Sequence, residues 1–264
     1  MKNPEVSDLF SLIDWYAKRA ALAYKPASEI QAQLPNATII NTTDDDVQYF
    51  IETDHANKRQ VVSVRGTCNL ANAREDADYL ECSNKKLGIW VHRGFDEDAW
   101  HIYQRIHDKL ISDYQLIFTG HSLGAAIATL LMMYFHEDGF SIGPSYNFGQ
   151  PKITNKKGVE KYNFLPLFRV VDEDDLVPMV PPLDLIDELH GGYEHFGQEI
   201  VLLEQSYYCF LKEKRAEQAS LGEFWKSLGH ESIEAHLMKN YLRNIKSKLL
   251  KAVVVSYQDR SKYY

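Results

Sequence analysis

The strongest constraint in the chain is the stretch Leu116-Ile-Phe-Thr-Gly-His-Ser-Leu-Gly-Ala-Ala126, where a short apolar run passes directly into small, helix-compatible residues. Within it, Gly120-His121-Ser122-Leu123-Gly124 has the G-x-S-x-G spacing of a sharp strand-to-helix turn. Such a turn lifts a serine hydroxyl above a sheet edge. Glycines two before and two after it leave room where side chains would collide with the neighbouring strand and helix. The pattern predicts a buried strand at Leu116–Thr119, a helix at Leu123–Tyr134 and Ser122 as a candidate nucleophile. The backbone N–H of Leu123, at the helix start, would face a developing oxyanion. A bare pentapeptide of this form arises by chance; the strand and helix flanks give it weight.

The surroundings fit an alternating α/β chain. Apolar positions at Leu9, Leu12, Ile13, Tyr16, Ala20 and Ala23 predict a helix over 8–24, stopped by Pro26. Strands are expected at Thr38–Ile40, Val47–Glu52, Gln60–Val64, Ile89–Val91, Ser145–Phe148 and Leu167–Val171. Helices are expected over 96–112 and 233–250, the interval 202–228 reads as helical, and 68–86 reads as a loop. Strands alternating with helices imply a mostly parallel central sheet with helices on both faces, in one domain over residues 1–264.

Composition narrows the function classes. The chain has 29 Lys+Arg against 37 Asp+Glu, a net charge of −8, which argues against nucleic-acid binding. Three cysteines without metal-ligand spacing argue against a disulfide scaffold and against a zinc site, so no metal is expected. The amino terminus lacks a continuous apolar h-region and no stretch reaches about 18 apolar residues, so neither a Sec signal nor a membrane span is expected. The expected location is cytoplasmic, with non-Sec export left open.

At this point the chain resembles the class 3, fungal-lipase-like, family of α/β-hydrolases. Val62-Ser-Val-Arg-Gly-Thr67 is similar to that family's strand and oxyanion loop, and Val91-His-Arg-Gly-Phe95 to its His-x-Gly-Phe segment. Tyr146-Asn-Phe-Gly-Gln-Pro151 resembles its Phe-Gly-x-Pro turn, and Arg169-Val-Val-Asp-Glu-Asp-Asp-Leu-Val-Pro178 its acid loop. In order and approximate spacing these cover about residues 15–245. The resemblance implies an α/β-hydrolase fold and a serine ester hydrolase without metal or organic cofactor.

A serine hydroxyl needs an imidazole as general base, and the imidazole needs a carboxylate to set its tautomer. In α/β-hydrolases both follow the serine in the chain. The acid loop offers Asp172, Asp174 and Asp175; the resemblance carries the role to Asp175, directly before Leu-Val-Pro. Among the histidines that follow, His195 lies twenty residues past the acid and His230 at a Gly-His-Glu turn. The resemblance instead assigns the base to His236, in His236-Leu-Met-Lys-Asn-Tyr241, and a structural role to the His195-Phe-Gly-Gln-Glu199 segment. His121 is expected to pack beneath the turn. Thr67 is expected to supply the second oxyanion donor beside Leu123.

The segment Asn69–Asp78 departs from the lipid-facing lid of secreted lipases, with Ala73 where an aromatic is often found and Leu70 as its single large apolar residue. Strong insertion into a lipid interface is therefore not expected. Ala125 stands where the family often has glycine. The basic tail from Arg243 to Tyr264 would either meet an anionic membrane surface weakly or pack on the domain through Ala252–Val255. The reading is a hydrolase acting on acyl-ester lipids or small esters. A phospholipase or soluble-ester esterase of the same fold and a non-catalytic scaffold are its rivals. Oligomeric state is left open.

Overall fold

In the computed structural model, residues 6–40, 47–66, 81–179, 192–212 and 234–263 are described. Five strands form the parallel heart of the protein: β3 (Arg59–Val64), β6 (Gln115–His121), β7 (Ser145–Phe148), β9 (Leu167–Asp172) and β11 (Gln198–Leu202). They are extended on one side by the antiparallel strands β1 (Ala37–Ile40) and β2 (Tyr49–Asp54). On the other side come β12 (Tyr207–Leu211), antiparallel to β11, and β13 (Val253–Val254), parallel to β12. The nine-stranded order is β1-β2-β3-β6-β7-β9-β11-β12-β13.

Strand alternation assigns the two faces. In β6, Leu116 and Phe118 enter one core cluster and Ile117 the other. The first cluster is covered by α3 (Arg93–Ile106), α4 (Leu123–Glu137) and the short α5 (Lys156–Tyr162), the second by α1 (Val6–Leu22) and α6 (Met238–Lys248), while α2 (Ala27–Gln33) packs through Ile30 against Ala37 and Phe50. Every residue of α4 from Gly124 to Phe135 is buried, which explains its apolar circumference. This is the α/β-hydrolase arrangement: a mostly parallel sheet with helices on both faces, and loops at the carboxyl ends of the strands free to carry chemistry.

Several elements differ from the sequence expectation. Residues 81–84, expected as loop, form β4 (Glu81–Asn84), which pairs with β5 (Ile89–His92) in a small antiparallel sheet. That sheet continues through β8 (Thr154–Asn155) to β10 (Tyr193–Glu194). A short helix at Lys156–Tyr162, capped by the Asn155 side chain, was also not anticipated. The helix expected over 202–228 is contradicted where it can be seen: Tyr207-Tyr-Cys-Phe-Leu211 pairs with β11 as β12. Its aromatic residues suit a pleated surface, and Tyr208 and Cys209 are buried. Residues 213–233 lie outside the described residues. The helix expected over 233–250 is broken at Leu237: residues 234–236 are helical, and the final helix runs from Met238 to Lys248, so His236 lies just before the break.

Candidate active site

Ser122 lies between β6 and α4 with φ 58° and ψ −130°. A non-glycine residue at positive φ is held against a cost of order 1–3 kcal/mol and persists only where the surroundings enforce it. They do so here by close packing. A Cβ on Gly120 would sit 2.4 Å from the Gly124 carbonyl carbon, and one on Gly124 would sit 2.4 Å from the Val64 carbonyl oxygen. The Ser122 N–H donates to the Phe148 carbonyl at 2.9 Å, tying the turn to the end of β7. Ala125 is fully buried, and its carbonyl accepts from Thr129 Oγ1 (2.9 Å) and Asn147 Nδ2 (3.1 Å).

Asp175 follows β9 in a turn closed by its own N–H donating to the Asp172 carbonyl at 3.0 Å. Its Oδ2 accepts from His236 Nδ1 at 2.7 Å and from the Tyr241 hydroxyl at 2.5 Å, while Oδ1 accepts from the Val177 N–H at 2.9 Å. The Asp175 and His236 side chains are completely buried. With Nδ1 committed as donor, His236 Nε2 is a bare lone pair, buried and without a hydrogen-bond partner among the described residues. A buried acceptor left unmatched is costly and needs an explanation. A proton-accepting role supplies one.

Two bridges bring the Ser122 turn and this pair together. Gly149 directly follows the Phe148 carbonyl that holds Ser122, and has φ +55°. A Cβ there would lie 2.8 Å from His236 Cε1 and 2.9 Å from Asp175 Oδ2. On the other side, His121 donates from Nε2 to the His236 carbonyl at 2.7 Å, and its ring centroid lies 4.6 Å from that of His236. His121 Nδ1 accepts from the Tyr24 hydroxyl at 2.8 Å. Burial, reinforced by His236, pushes His121 down to about 3, so it is a neutral prop beneath the turn.

Neighbouring ionisable groups are shaped mainly by desolvation. Burial lifts Asp172 to about 6, with Asn244 Nδ2 donating to it at 3.1 Å and Asp175 adding repulsion. Burial also raises the Tyr241 phenol far above its ordinary value, helped by the charges of Asp175 and Asp172. Tyr241 is thus a proton-bearing donor to Asp175. Lys248 is lowered to about 8 by burial, and donates to the Leu203 and Gln205 carbonyls at 2.7 and 3.0 Å.

The structure brings Ser122, Asp175 and His236 into one locality and keeps His195 out of it. His195 Nε2 donates to the Pro178 carbonyl at 2.6 Å, so it braces the acid loop from behind. In the same segment Glu199 pairs with Arg169 at 3.0 Å, both nearly inaccessible. Leu123 is the first residue of α4, and its N–H is among those a helix leaves without an internal acceptor. Thr67, Cys68, the Asn69–Asp78 segment and His230 lie outside the described residues. Gly66, just before Thr67, meets the turn closely: a Cβ there would be 2.5 Å from the His121 carbonyl oxygen. Gly149, Tyr24 and Tyr241 join the site without having been expected there. The Phe-Gly-x-Pro motif was the available signal for Gly149. No group of three metal-capable side chains occurs among the described residues, and no helix among them is long and apolar enough to cross a membrane.

Residues 61–185 match the family model for lipase (class 3). Among curated relatives, the secreted mono- and diacylglycerol lipase 1 of Fusarium solani is 31% identical over 167 residues, covering 57% of this chain and 46% of the relative. The secreted mono- and diacylglycerol lipase A of Penicillium cyclopium is 28% identical over 173 residues, covering 60% and 53%. The chain therefore spans about half the length of the curated relatives it matches. The Lip2 lipase of Yarrowia lipolytica superposes with a TM-score of 0.69 at 23% identity, over 88% of this chain and 93% of that one, which speaks for the fold. The secreted relatives overturn the cytoplasmic location expected from the sequence. Export is addressed by segments separate from a catalytic domain, so the charge and apolar content of the fold carry no information about compartment.

Proposed function

We propose, from the match of residues 61–185 to the class 3 lipase model, that the chain is a serine ester hydrolase of that family that cleaves acyl esters of lipids through an acyl-enzyme. The observation that carries the reading is the buried Asp175–His236 pair, whose imidazole packs against Gly149 beside the carbonyl that holds the Ser122 turn, and whose Nε2 has no hydrogen-bond partner among the described residues. In this mechanism His236 Nε2 takes the Ser122 hydroxyl proton as Oγ bonds to the acyl carbonyl carbon. Asp175 holds the imidazole in the tautomer that leaves Nε2 free and stabilises the imidazolium that forms. The Leu123 and Thr67 N–H groups donate to the tetrahedral oxyanion. Collapse breaks the ester C–O bond, and the leaving alcohol takes the proton from Nε2. Water then attacks the acyl-enzyme with His236 again as base, releasing the carboxylic acid.

The relatives named for mono- and diacylglycerols favour glycerol esters over phospholipids as substrate, and their secretion favours an extracellular place of action. The test is covalent labelling with a fluorophosphonate, followed by hydrolysis of monoacylglycerol and phospholipid micelles. Wild type is expected to label and to prefer the monoacylglycerol, while Ser122→Ala does neither. Equal labelling of wild type and Ser122→Ala sinks the assignment. A His195→Ala variant that loses turnover while His236→Ala retains it sinks the choice of base.

A further inference from the structure

The basic carboxyl-terminal segment is built into the domain. β13 aligns Val253 and Val254 with Tyr207 and Tyr208 of β12, and the Val255 N–H donates to the Tyr208 carbonyl at 2.9 Å. A 3-10 helix follows at Tyr257–Lys262. Val255, Tyr257 and Tyr263 pack against Val201, Leu203 and Cys209, and the Tyr263 and Tyr207 ring centroids are 4.4 Å apart. This anchorage aims Arg260. Its guanidinium lies 3.9 Å over the Tyr257 ring, donates from Nη1 to the Tyr257 carbonyl at 3.0 Å, and donates from Nε to Glu173 Oε1 at 2.7 Å.

Glu173 is a corner of the turn that ends in Asp175. Its N–H donates to the Leu202 carbonyl at 3.2 Å, at the end of β11, and its side chain is nearly buried under Arg260. The turn is therefore held at one corner from two sides. Arg260 also brings a cation to four consecutive acids, Asp172-Glu173-Asp174-Asp175, and so offsets part of their mutual repulsion.

We propose that Arg260 is a positioning residue: through Glu173 it braces the acid turn so that Asp175 stays in register with His236. Its catalytic consequence rests on the hydrolase reading; its effect on the turn does not. A carboxy-terminal segment remote in sequence from Ser122 thereby becomes part of what sets the rate. The brace is partly accessible to solvent, with the Arg260 side chain 33% exposed, so salt weakens it.

The experiment compares Arg260→Gln, Arg260→Lys, Glu173→Gln and the double Arg260→Gln/Glu173→Gln variant with wild type. Lys262→Gln, which breaks an exposed pair with Asp259 on the same helix, is the control. Arg260→Gln is expected to lower kcat about five- to twentyfold at unchanged KM, less than the roughly 100-fold that a 1 Å misplacement can cost. Arg260→Lys recovers part of the rate, the double variant is no worse than either single, and Lys262→Gln matches wild type. Hydrogen exchange at the Asp175 and Val177 amides, which close the turn and bond its carboxylate, accelerates in Arg260→Gln. Unchanged exchange at those amides overturns the brace, and so does a loss of kcat in Arg260→Gln that Lys262→Gln shows equally. If wild type fails to label with fluorophosphonate, the hydrolase reading falls, and amide exchange alone still decides the brace.

Discussion

Replacing Gly149 with alanine puts the site's geometry to its most direct test. Gly149 has φ +55°, where an L side chain costs about 1–2 kcal/mol. The added methyl would also stand 2.8 Å from His236 Cε1, 2.9 Å from Asp175 Oδ2 and 3.0 Å from His236 Nδ1. Ordinary contact begins at 3.4 Å, so relief requires the imidazole and the carboxylate to withdraw by several tenths of an ångström. Both are locked by the 2.7 Å bond between them, and the imidazole is further held by His121 through its carbonyl. Displacement of that size, set against the roughly 100-fold that 1 Å can cost, predicts a loss in kcat of about 10- to 100-fold with KM little changed. The thermal midpoint should fall by about 2–8 °C from backbone strain of one or two kcal/mol. Gly139→Ala isolates the backbone part, because Gly139 has φ +82° with nothing within 4 Å of its Cβ position. It should lose stability comparably and keep full turnover. Steady-state kinetics on a soluble ester and thermal melts of both variants suffice. A Gly149→Ala enzyme with wild-type kcat, or a Gly139→Ala enzyme that loses as much, refutes the reasoning.

Further tests probe the groups around the pair. Tyr241→Phe removes the hydroxyl that donates to Asp175 and accepts from the Asp172 N–H; a hydrogen bond to a charged group is worth about 1.5–3 kcal/mol, so turnover should fall at least about tenfold. Retained kcat in that variant would remove Tyr241 from the positioning network. Asp172 has its folded pKa raised to about 6 from 3.8, so the native state holds its proton longer than the unfolded chain does. Stability from this group is full below pH 3.8 and lost as pH rises through 6; Asp172→Asn should flatten that decline in urea titrations, and parallel wild-type and variant profiles would contradict it. Glu199→Gln removes the carboxylate charge 3.0 Å from the nearly inaccessible Arg169 guanidinium and should cost about 3–5 kcal/mol in chemical denaturation, with a loss below 1 kcal/mol arguing that water reaches the pair.

The local sequence was a good guide where a residue's neighbours in the chain are also its neighbours in space. The Gly120–Gly124 turn, β6 and α4 follow from glycine sterics and apolar runs, so their boundaries fall within three residues of expectation. The interval 202–228 misled because Tyr207–Leu211 is a strand only by virtue of its pairing with β11. Likewise β4 exists because β5 lies beside it, and its polar residues carry no period of their own.

The sequence by itself determined the strand-turn-helix that carries Ser122, the α/β class and a short set of acids and histidines placed after it. Tertiary structure decided which of them meet. His195 and His236 are both histidines downstream of the acid loop, and only the fold sends one to the Pro178 carbonyl and the other to Asp175. It also decided that Gly149, Tyr241, Tyr24 and His121 surround the pair, contacts spanning up to 115 residues of chain. The physical reason is that a turn's conformation is set by local sterics. A buried ion pair and its donors depend on desolvation and on bonds between strand ends, and these come into being only when the sheet assembles.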